Sequence, residues 1–232
     1  MTRIQLELAV HKMVDLATKH VKDGYAIGLG SGSTVAEFVR TLADYVKKGH
    51  LQIEIVPSSL QIQMVAEEVG LEVLTGNRFS KIDVTIDGAD QIDKLSNLIK
   101  GGGGALFRER VLMAEARRTI ILADESKFSE NLDKPVPIEV SPFARTYVAD
   151  RLKFLGGKPQ IRVNSKGYPY VTENANVVFD VDFGIIVNPA KLEARIRNIA
   201  GVVEVGIFTT NVDIILKACR SGNVEEIRVK RH

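Results

Sequence analysis

Short apolar runs alternate with amphipathic segments through the first half of the chain. The runs have the length and composition of buried strands, and the amphipathic segments carry apolar residues at helical spacing. The predicted strands are 25–29, 53–56, 72–74, 81–87 and 119–123, and the predicted helices are 6–21, 34–46, 61–69 and 105–116. Because parallel strands are joined by crossover helices, this alternation predicts a Rossmann-like α/β fold, with a doubly wound, mainly parallel sheet between helices.

The pattern changes near Phe128, where three prolines fall between residues 129 and 142. Beyond it we predict a helix at 143–155, strands at 160–163 and 176–182, and a helix whose start is marked by Asn188-Pro189. Strands are also predicted at 206–215 and, as a charged sheet edge, at 226–230. The domain prediction is a Rossmann-like catalytic domain over 1–130 and 207–232, with a small inserted α+β (ferredoxin-like) domain over 131–206.

Composition excludes several classes of protein. The 232 residues suffice for a core without disulfides, and no apolar run of about 18 residues predicts a membrane span. The formal charge is only +2 and basic residues are interspersed with acidic ones, so no nucleic-acid partner is predicted. The single cysteine, Cys219, is placed in a helical stretch as a packing residue and is consistent with the reducing cytoplasm. The four histidines form no pair at ligand spacing, so no metal is predicted.

The segment GLGSGSTV, residues 28–35, follows a predicted strand and opens a predicted helix. Ligands of open α/β sheets bind beyond the carboxyl ends of the strands, where this turn falls. Gly32 permits close backbone approach, Ser31, Ser33 and Thr34 carry hydroxyls, and a helix N-terminus offers N–H groups. The segment is typical of a phosphate cradle, although it lacks the P-loop lysine and the dinucleotide glycine spacing. A tight turn with a helix cap is an equal alternative.

A second segment, DVTIDGADQID at 83–93, runs from a strand into Asp87-Gly88-Ala89-Asp90. Carboxylates at the end of a strand and beside a glycine are candidates for a ligand cleft. A turn closed by an aspartate side chain is the alternative. Asp83 and Asp93 are predicted to be solvated.

A third segment places Lys100 and the four glycines 101–104 immediately before a helix. Consecutive glycines are entropically costly to order, which indicates either a linker or a nest of backbone N–H groups for an anion, with Lys100 as a fixed positive charge. Glu109 lies one turn into that helix, as a candidate base or as a solvated carboxylate paired with an arginine. Lys127 follows the next strand and is either a ligand contact or a surface lysine.

Together these segments predict chemistry at successive strand ends of one sheet. An anion loop, two aspartates, a lysine and a glutamate suit proton transfer on a small phosphorylated carbonyl compound, in which a carboxylate moves the proton and cationic or N–H donors stabilise an enediolate. Related sheets also serve sugar-phosphate deaminases, coenzyme A transferases and sugar-phosphate sensors, so these remain alternatives.

The ordered motifs GLGSGSTV, DGADQID, KGGGGALFRER and ADESKF, with VPIEVSPFA and GVVEVGIF, resemble the type A ribose-5-phosphate isomerase family over nearly the whole chain. The resemblance implies interconversion of D-ribose 5-phosphate and D-ribulose 5-phosphate, in the non-oxidative pentose phosphate pathway and without a cofactor. It implies Glu109 as the catalytic base, Asp87 in ring opening, Asp90 in positioning hydroxyls and Lys100 in stabilising the enediolate. It also implies these substrate contacts: Ser31, Gly32, Ser33, Thr34, Gly88, Ala89, Gly101, Gly102, Gly103 and Lys127.

The chain departs from the family pattern at two positions. Ser31 stands where threonine is common and Gln91 where glutamate is common. The resemblance further implies a homodimer or a homotetramer, assembled with the help of the small domain.

Overall fold

The computed structural model describes residues 3–74 and 81–229. The elements in chain order are α1 (Arg3–Thr18), β1 (Ala26–Leu29), α2 (Ser33–Gly49), β2 (Glu54–Pro57), α3 (Leu60–Glu68), β3 (Val84–Gly88), β4 (Gln91–Ile92), β5 (Leu98–Ile99), α4 (Leu106–Glu115), β6 (Thr119–Asp124), β7 (Val136–Val140), α5 (Arg145–Phe154), β8 (Lys158–Ile161), β9 (Val177–Asp182), α6 (Pro189–Arg197), β10 (Val202–Val205), β11 (Ile207–Phe208), β12 (Ile214–Ala218) and β13 (Val224–Arg228). Short 3-10 turns cover Glu125–Lys127 and Pro142–Ala144. Residue 230 of the predicted last strand and His232 lie outside the described residues.

By its contacts the chain divides into two compact units. The first unit comprises residues 1–88, 108–127 and 211–232, and the second comprises 89–107 and 128–210. The segment 89–107, which the sequence predicts as part of the first domain, therefore groups with the second. The physical reason is strand pairing, because β5 lies between β4 and β11 in an antiparallel three-stranded sheet.

The first unit is built on a six-stranded sheet in the order β13-β12-β6-β3-β1-β2. Neighbouring strands from β12 to β2 are parallel and only β13 is antiparallel, at the sheet edge, which confirms the predicted α/β class and the charged edge strand. The central strands are apolar because they are buried, as in other covered parallel sheets. The predicted strand 72–74 was wrong, because only Val73 forms a bridge, to Ile55.

The helices α1 and α2 bury their apolar faces in the core of this first unit. Met13, Phe38 and Leu42 are completely buried, in one cluster with Ile27 and Ile86 of the central strands. The core therefore fixes the strand ends from which the candidate loops begin.

The second unit contains the chain order β7-α5-β8-β9-α6-β10 and a four-stranded antiparallel sheet in the order β10-β7-β9-β8. That is the ferredoxin-like arrangement predicted for the α+β domain. Asn188 caps α6 as expected, with its side chain accepting from Lys191 N–H at 3.0 Å. The sequence missed β7, whose five residues are all buried, because Pro137 and its proline neighbours resemble a boundary.

Two smaller predictions near the chain end are corrected. The predicted strand 206–215 is divided between β11 and β12. Cys219 is not helical, since it follows β12 and its N–H donates to Asn223 O at 2.9 Å in the turn before β13. Burial and the Glu225 carboxylate raise the pKa of the Cys219 thiol, which favours packing over reactivity. Among the described residues, no helix is long and apolar enough to cross a membrane.

Candidate active site

The turn within the segment GLGSGSTV, residues 28–35, which we call the anion loop, follows β1 at the carboxyl end of the first unit's sheet. Gly30 N–H donates to Ile86 O at 2.9 Å, which ties the loop to β3. Gly32 is the N-cap of α2 with φ 93°, a conformation that favours glycine. Gly32 has no side chain to cap this helix start, so Ser33 and Thr34 lie at an N-terminus whose first N–H groups lack partners within the helix.

Asp87 lies directly beneath this loop. It ends the apolar part of β3, is completely buried, and accepts a hydrogen bond from Gly88 N–H at 2.7 Å. A Cβ atom at Gly30 would lie 1.7 Å from Asp87 Oδ1, so only glycine fits there. Asp87 is therefore a buried carboxylate at the end of β3, and its bond from Gly88 N–H also fits the alternative of a turn closed by its side chain.

Glu109 is in the first turn of α4 and only 2% exposed. Ser31 Oγ donates to Glu109 Oε1 at 2.6 Å, which joins the anion loop to the candidate base. The alternative of a solvated carboxylate is thereby excluded. Because its hydroxyl is directed at Glu109, Ser31 has a contact that the sequence did not predict.

Lys127 lies in the 3-10 turn after β6 and is half-buried. It forms no hydrogen bond or ion pair with any residue in 3–74 or 81–229. The turn itself is fixed by Asp124 Oδ1, which accepts from Ser126 N–H at 2.8 Å. Because the turn is fixed and the Lys127 side chain has no partner among the described residues, its ammonium group is available to an anion.

In the second unit, Lys100 follows β5 and is 2% exposed. Its N–H donates to Gly206 O at 2.9 Å, and its Nζ lies 5.7 Å from the centroid of the Phe208 ring, within cation–π range. Gly206 allows this packing, because a Cβ there would lie 2.4 Å from Lys100 O. Lys100 is thus a buried positive charge with a fixed backbone.

The glycine loop, Gly101–Gly104, is an ordered turn and not a linker. Gly101 has φ +105°, and Gly104 N–H donates back to Gly101 O at 3.0 Å. Asp90 Oδ2 accepts from Gly102 N–H at 2.8 Å, and a Cβ at Gly102 would lie 2.6 Å from Asp90 Oδ1. Gly102 and Gly103 are exposed at the tip of the turn.

Asp90 is supported by a network around Gln91, which is one of the two departures from the family pattern. Lys134 Nζ donates to Asp90 O at 2.9 Å. Buried Gln91 donates through Nε2 to Asp133 Oδ1 at 2.6 Å and to Ser129 Oγ at 2.9 Å, while its Oε1 accepts from the N–H groups of Asp133 and Lys134. An amide suits this place because it must donate to a carboxylate, which an ionised glutamate cannot do.

The prediction that all these segments end strands of one sheet was wrong for the glycine loop. Lys100 follows a strand of the three-stranded sheet, since β5 pairs with β4 and β11. The structure brings Ser31, Asp87 and Glu109 together in the first unit. In the second it brings together Asp90, Lys100 and the glycine loop. Sequence reasoning missed Arg162 and Tyr170, which bind the glycine loop and carry no motif signal.

Asp83 and Asp93 are buried, contrary to the prediction that they are solvated. Asp93 accepts from the N–H groups of Leu95 and Asn97 in a tight turn, and Asp83 accepts from Ala26 N–H at 3.1 Å. In the described part of the chain, no group of three or more His, Cys, Asp or Glu side chains is arranged to hold a metal ion.

Comparison with known proteins identifies the family. Residues 54–222 match the family model for ribose 5-phosphate isomerase A (phosphoriboisomerase A). A protein named ribose-5-phosphate isomerase A from Methanosarcina acetivorans is 46% identical over 189 residues, 81% of each chain. One of the same name from Synechococcus sp. is 41% identical over 222 residues, 94% of this chain and 96% of its own.

Two solved structures have the same fold over almost their whole length. Ribose 5-phosphate isomerase A from Methanocaldococcus jannaschii superposes with a TM-score of 0.89 at 36% identity, covering 96% of this chain and 98% of its own. A D-ribose-5-phosphate isomerase in complex with phospho-erythronic acid superposes with a TM-score of 0.91 at 34% identity, covering 98% and 100%. The chain therefore belongs to the ribose 5-phosphate isomerase A family.

Proposed function

We propose that this chain interconverts D-ribose 5-phosphate and D-ribulose 5-phosphate through an enediolate intermediate. The observation that carries the proposal is Glu109, a buried carboxylate held by the Ser31 hydroxyl at 2.6 Å beside a glycine-rich anion loop. Family membership supports it, and one structural neighbour is in complex with phospho-erythronic acid, a phosphorylated sugar acid.

Glu109 is the proton-transfer group in this proposal. Its carboxylate removes the proton from C2 of the open-chain aldose, and the C–H electron pair forms the C1–C2 double bond as negative charge moves to O1. The protonated Glu109 then returns the proton to C1, and the proton of the O2 hydroxyl passes to O1, so that O2 becomes the ketone oxygen and O1 a hydroxyl. C1 is reduced as C2 is oxidised, so the reaction needs neither a redox cofactor nor a metal to balance.

The two aspartates act before and around this transfer. Asp87 assists opening of the furanose ring by moving a proton between the ring oxygen and the anomeric hydroxyl. Asp90 positions substrate hydroxyls, with Gly88 and Ala89 contacting the sugar between them. Burial of Asp87 and the Gly88 N–H bond support a fixed carboxylate in this role.

Lys100 and the glycine loop stabilise the enediolate oxygen. A buried ammonium group and backbone N–H donors are most effective where water is excluded and no reorganisation is needed. Lys100 is 2% exposed, and the turn of Gly101, Gly102 and Gly103 is fixed by its own hydrogen bonds.

The phosphate is bound by the anion loop in this proposal. The uncapped start of α2 offers N–H groups and a partial positive charge, and Ser33 and Thr34 add hydroxyls beside Gly32. Lys127, which has no ion pair to any described carboxylate, supplies a full positive charge.

The decisive experiment follows isomerisation and C2 proton exchange of ribose 5-phosphate by NMR in deuterated solvent. The wild-type chain should form ribulose 5-phosphate and exchange the C2 proton. Glu109→Gln should lower kcat by more than about 10²-fold with KM nearly unchanged, because general-base catalysis contributes about 10²–10⁴-fold.

Glu115→Gln is the matched control, since it lies in the same helix but is exposed. It should behave like the wild type. A wild-type chain that binds the sugar phosphate without exchanging its C2 proton would contradict the isomerase and favour a sensor. A Glu109→Gln loss below tenfold would remove Glu109 from the base role.

We also propose that the chain assembles as a homodimer or homotetramer through its small domain. Large apolar side chains of the second unit are exposed, among them Phe143, Phe154, Ile185 and Val187. Such exposure is typical of surfaces that are covered in an assembly. Sedimentation equilibrium should give a multiple of the 25.5 kDa chain mass, and a monomer at micromolar concentration would contradict the assembly.

The reaction belongs to the non-oxidative pentose phosphate pathway, and we propose that it takes place in the cytoplasm. The single cysteine of the chain supports a reducing compartment. Fractionation of cells that produce the protein would test its location.

A further inference from the structure

The carbonyl groups of the glycine loop are held by side chains from the second unit. Arg162 Nη1 donates to Gly101 O at 2.8 Å and to Gly102 O at 3.1 Å. Tyr170 Oη donates to Gly103 O at 3.1 Å. Three consecutive carbonyls are therefore fixed on the side of the loop that faces these two residues.

Arg162 is itself rigidly held. Its Nε donates to Asp180 Oδ2 at 2.9 Å and its Nη2 donates to Asp180 Oδ1, the two-point geometry that fits a carboxylate. The guanidinium carbon lies 5.8 Å from the Tyr170 ring centroid. The Arg162 backbone is fixed as well, because its N–H donates to Val178 O and its carbonyl accepts from Tyr170 N–H, both at 2.8 Å.

The orientation of a carbonyl determines the direction of the next N–H group. A trans peptide unit is planar, so the Gly102 C=O and the Gly103 N–H point in opposite directions. Gly102 N–H is used by Asp90 and Gly104 N–H by Gly101 O. Within residues 3–74 and 81–229, Gly103 N–H donates no hydrogen bond, and Gly103 is exposed at the tip of the turn.

We propose that Arg162 is a positioning residue that aims the Gly103 N–H at the developing enediolate oxygen. The hydrogen bond from Arg162 to Gly102 O fixes the peptide plane that carries this N–H. It also polarises the peptide, which strengthens the N–H as a donor. The inference rests on the proposed isomerase function and names Gly103 as the residue of the glycine loop whose N–H donates to the enediolate oxygen.

The arginine is not required merely to close the turn. The bond from Gly104 N–H to Gly101 O and the bond from Gly102 N–H to Asp90 already define it. Removing Arg162 should therefore leave the loop present but let the plane between Gly102 and Gly103 rotate.

The test compares variants of the full chain by kcat and KM for ribose 5-phosphate and by the Gly103 amide signal of ¹⁵N-glycine-labelled protein. Arg162→Met should lower kcat at least about tenfold, since one oxyanion donor contributes about 10²–10³-fold, with KM changed less than about threefold. The Gly103 amide proton should shift upfield as its peptide loses polarisation. Arg162→Lys should recover part of kcat, because an ammonium reaches a carbonyl but cannot also form the two-point pair with Asp180.

Tyr170→Phe separates positioning from general support. It removes the bond to Gly103 O, which lies in the peptide plane of Gly104 N–H and not of Gly103 N–H, so kcat should change less than about threefold. Arg145→Met is the unchanged control, since the side chain of this exposed arginine donates to Pro142 O, outside the glycine loop.

A kcat for Arg162→Met within threefold of the wild type overturns the inference, as does an equal loss in Tyr170→Phe. Should Arg162→Met fail to fold, Asp180→Asn replaces it, with an expected loss of about three- to tenfold in kcat, and an unchanged kcat overturns the inference. An inactive wild-type chain would contradict the isomerase proposal. The positioning role has its own readout, because a Gly103 amide signal that is unaltered in Arg162→Met would reject it.

Discussion

The anion loop and the glycine loop are both glycine-rich turns that precede a helix, but they are fixed in different ways. The anion loop is set by its own strand and helix, with Gly30 N–H bonded to β3 and Gly32 as the N-cap of α2. The glycine loop depends on residues remote in sequence. Arg162 and Tyr170 bind its carbonyls across sequence separations of 60 to 67 residues.

The difference shows why local geometry is sufficient to fix the conformation of only one of the two loops. A strand-to-helix turn at the carboxyl end of a parallel sheet presents N–H groups through local geometry alone. A run of glycines has no preferred conformation, so side chains from elsewhere must select one. The following substitutions test this contrast, from the largest expected effect to the smallest.

Gly30→Ala and Gly102→Ala should differ strongly in their effect. Each new Cβ meets an aspartate oxygen, Asp87 Oδ1 at 1.7 Å and Asp90 Oδ1 at 2.6 Å. Asp87 is completely buried and cannot rotate away, whereas Asp90 is only half-buried beside an exposed glycine. Gly30→Ala should lower kcat/KM by more than about 10²-fold and destabilise the fold by about 1–3 kcal/mol, as overpacking does.

Gly102→Ala should lower kcat/KM about tenfold and leave the midpoint of urea unfolding nearly unchanged. Steady-state kinetics and urea unfolding of both variants check the pair. Equal losses of stability would show that the glycine loop is packed as tightly as the anion loop, which would remove the contrast.

Lys100→Met should mainly lower kcat, whereas the double variant Ser33→Ala, Thr34→Ala should mainly raise KM. Lys100 acts on the enediolate in our proposal, so its removal should lower kcat by about 10²-fold with little change in KM. In the same proposal the hydroxyls of the anion loop bind the phosphate before and during the reaction, so their loss should raise KM about tenfold and leave kcat within about threefold.

Direct binding of inorganic phosphate by calorimetry provides the second measurement for this pair. The double variant should bind it more weakly, and Lys100→Met should bind it like the wild type. An unchanged phosphate affinity in the double variant would show that the phosphate does not bind at the hydroxyls of the anion loop.

The smallest effect concerns acid stability at the amino-terminal ends of β1 and β3, the ends of these strands opposite the anion loop. Burial alone would raise the pKa of Asp83, but the hydrogen bonds from Lys81 and Ala26 N–H, with the charges of Lys81 and Arg117, lower it. A carboxylate whose pKa is lowered by folding stabilises the native state at pH values above its ordinary pKa of about 4. This contribution is lost as the pH falls through the lowered pKa.

Asp83→Asn should therefore be less stable than the wild type at pH 7, and the gap between the two should narrow as the pH falls below about 4. Urea unfolding from pH 7 to pH 3 measures this, with Asp150→Asn as the exposed control. A gap that is constant with pH would mean that the Asp83 charge contributes nothing to the tie between β1 and β3.

Local sequence patterns were sufficient for the parts of the fold that follow from local physics. The alternation of apolar runs and helices predicted the strands of the parallel sheet, and Asn188-Pro189 marked the start of α6. The strand β7 was missed because the proline at position 137 is a turn signal locally, although every residue of the strand is buried in the second unit's sheet. Asp83 and Asp93 were predicted as solvated because no local pattern reports burial of a charged group.

The sequence by itself predicted which residues carry the proposed chemistry, since Glu109, Asp87, Lys100 and the two glycine-rich turns stand in ordered motifs. Only the tertiary structure decided what holds them: the Ser31 hydroxyl on Glu109, the collision that keeps Gly30 a glycine, and the Arg162 bonds that fix the glycine loop. The physical reason is that hydrogen bonds and close packing between residues distant in the chain depend on side-chain directions, which strand pairing sets and sequence spacing does not.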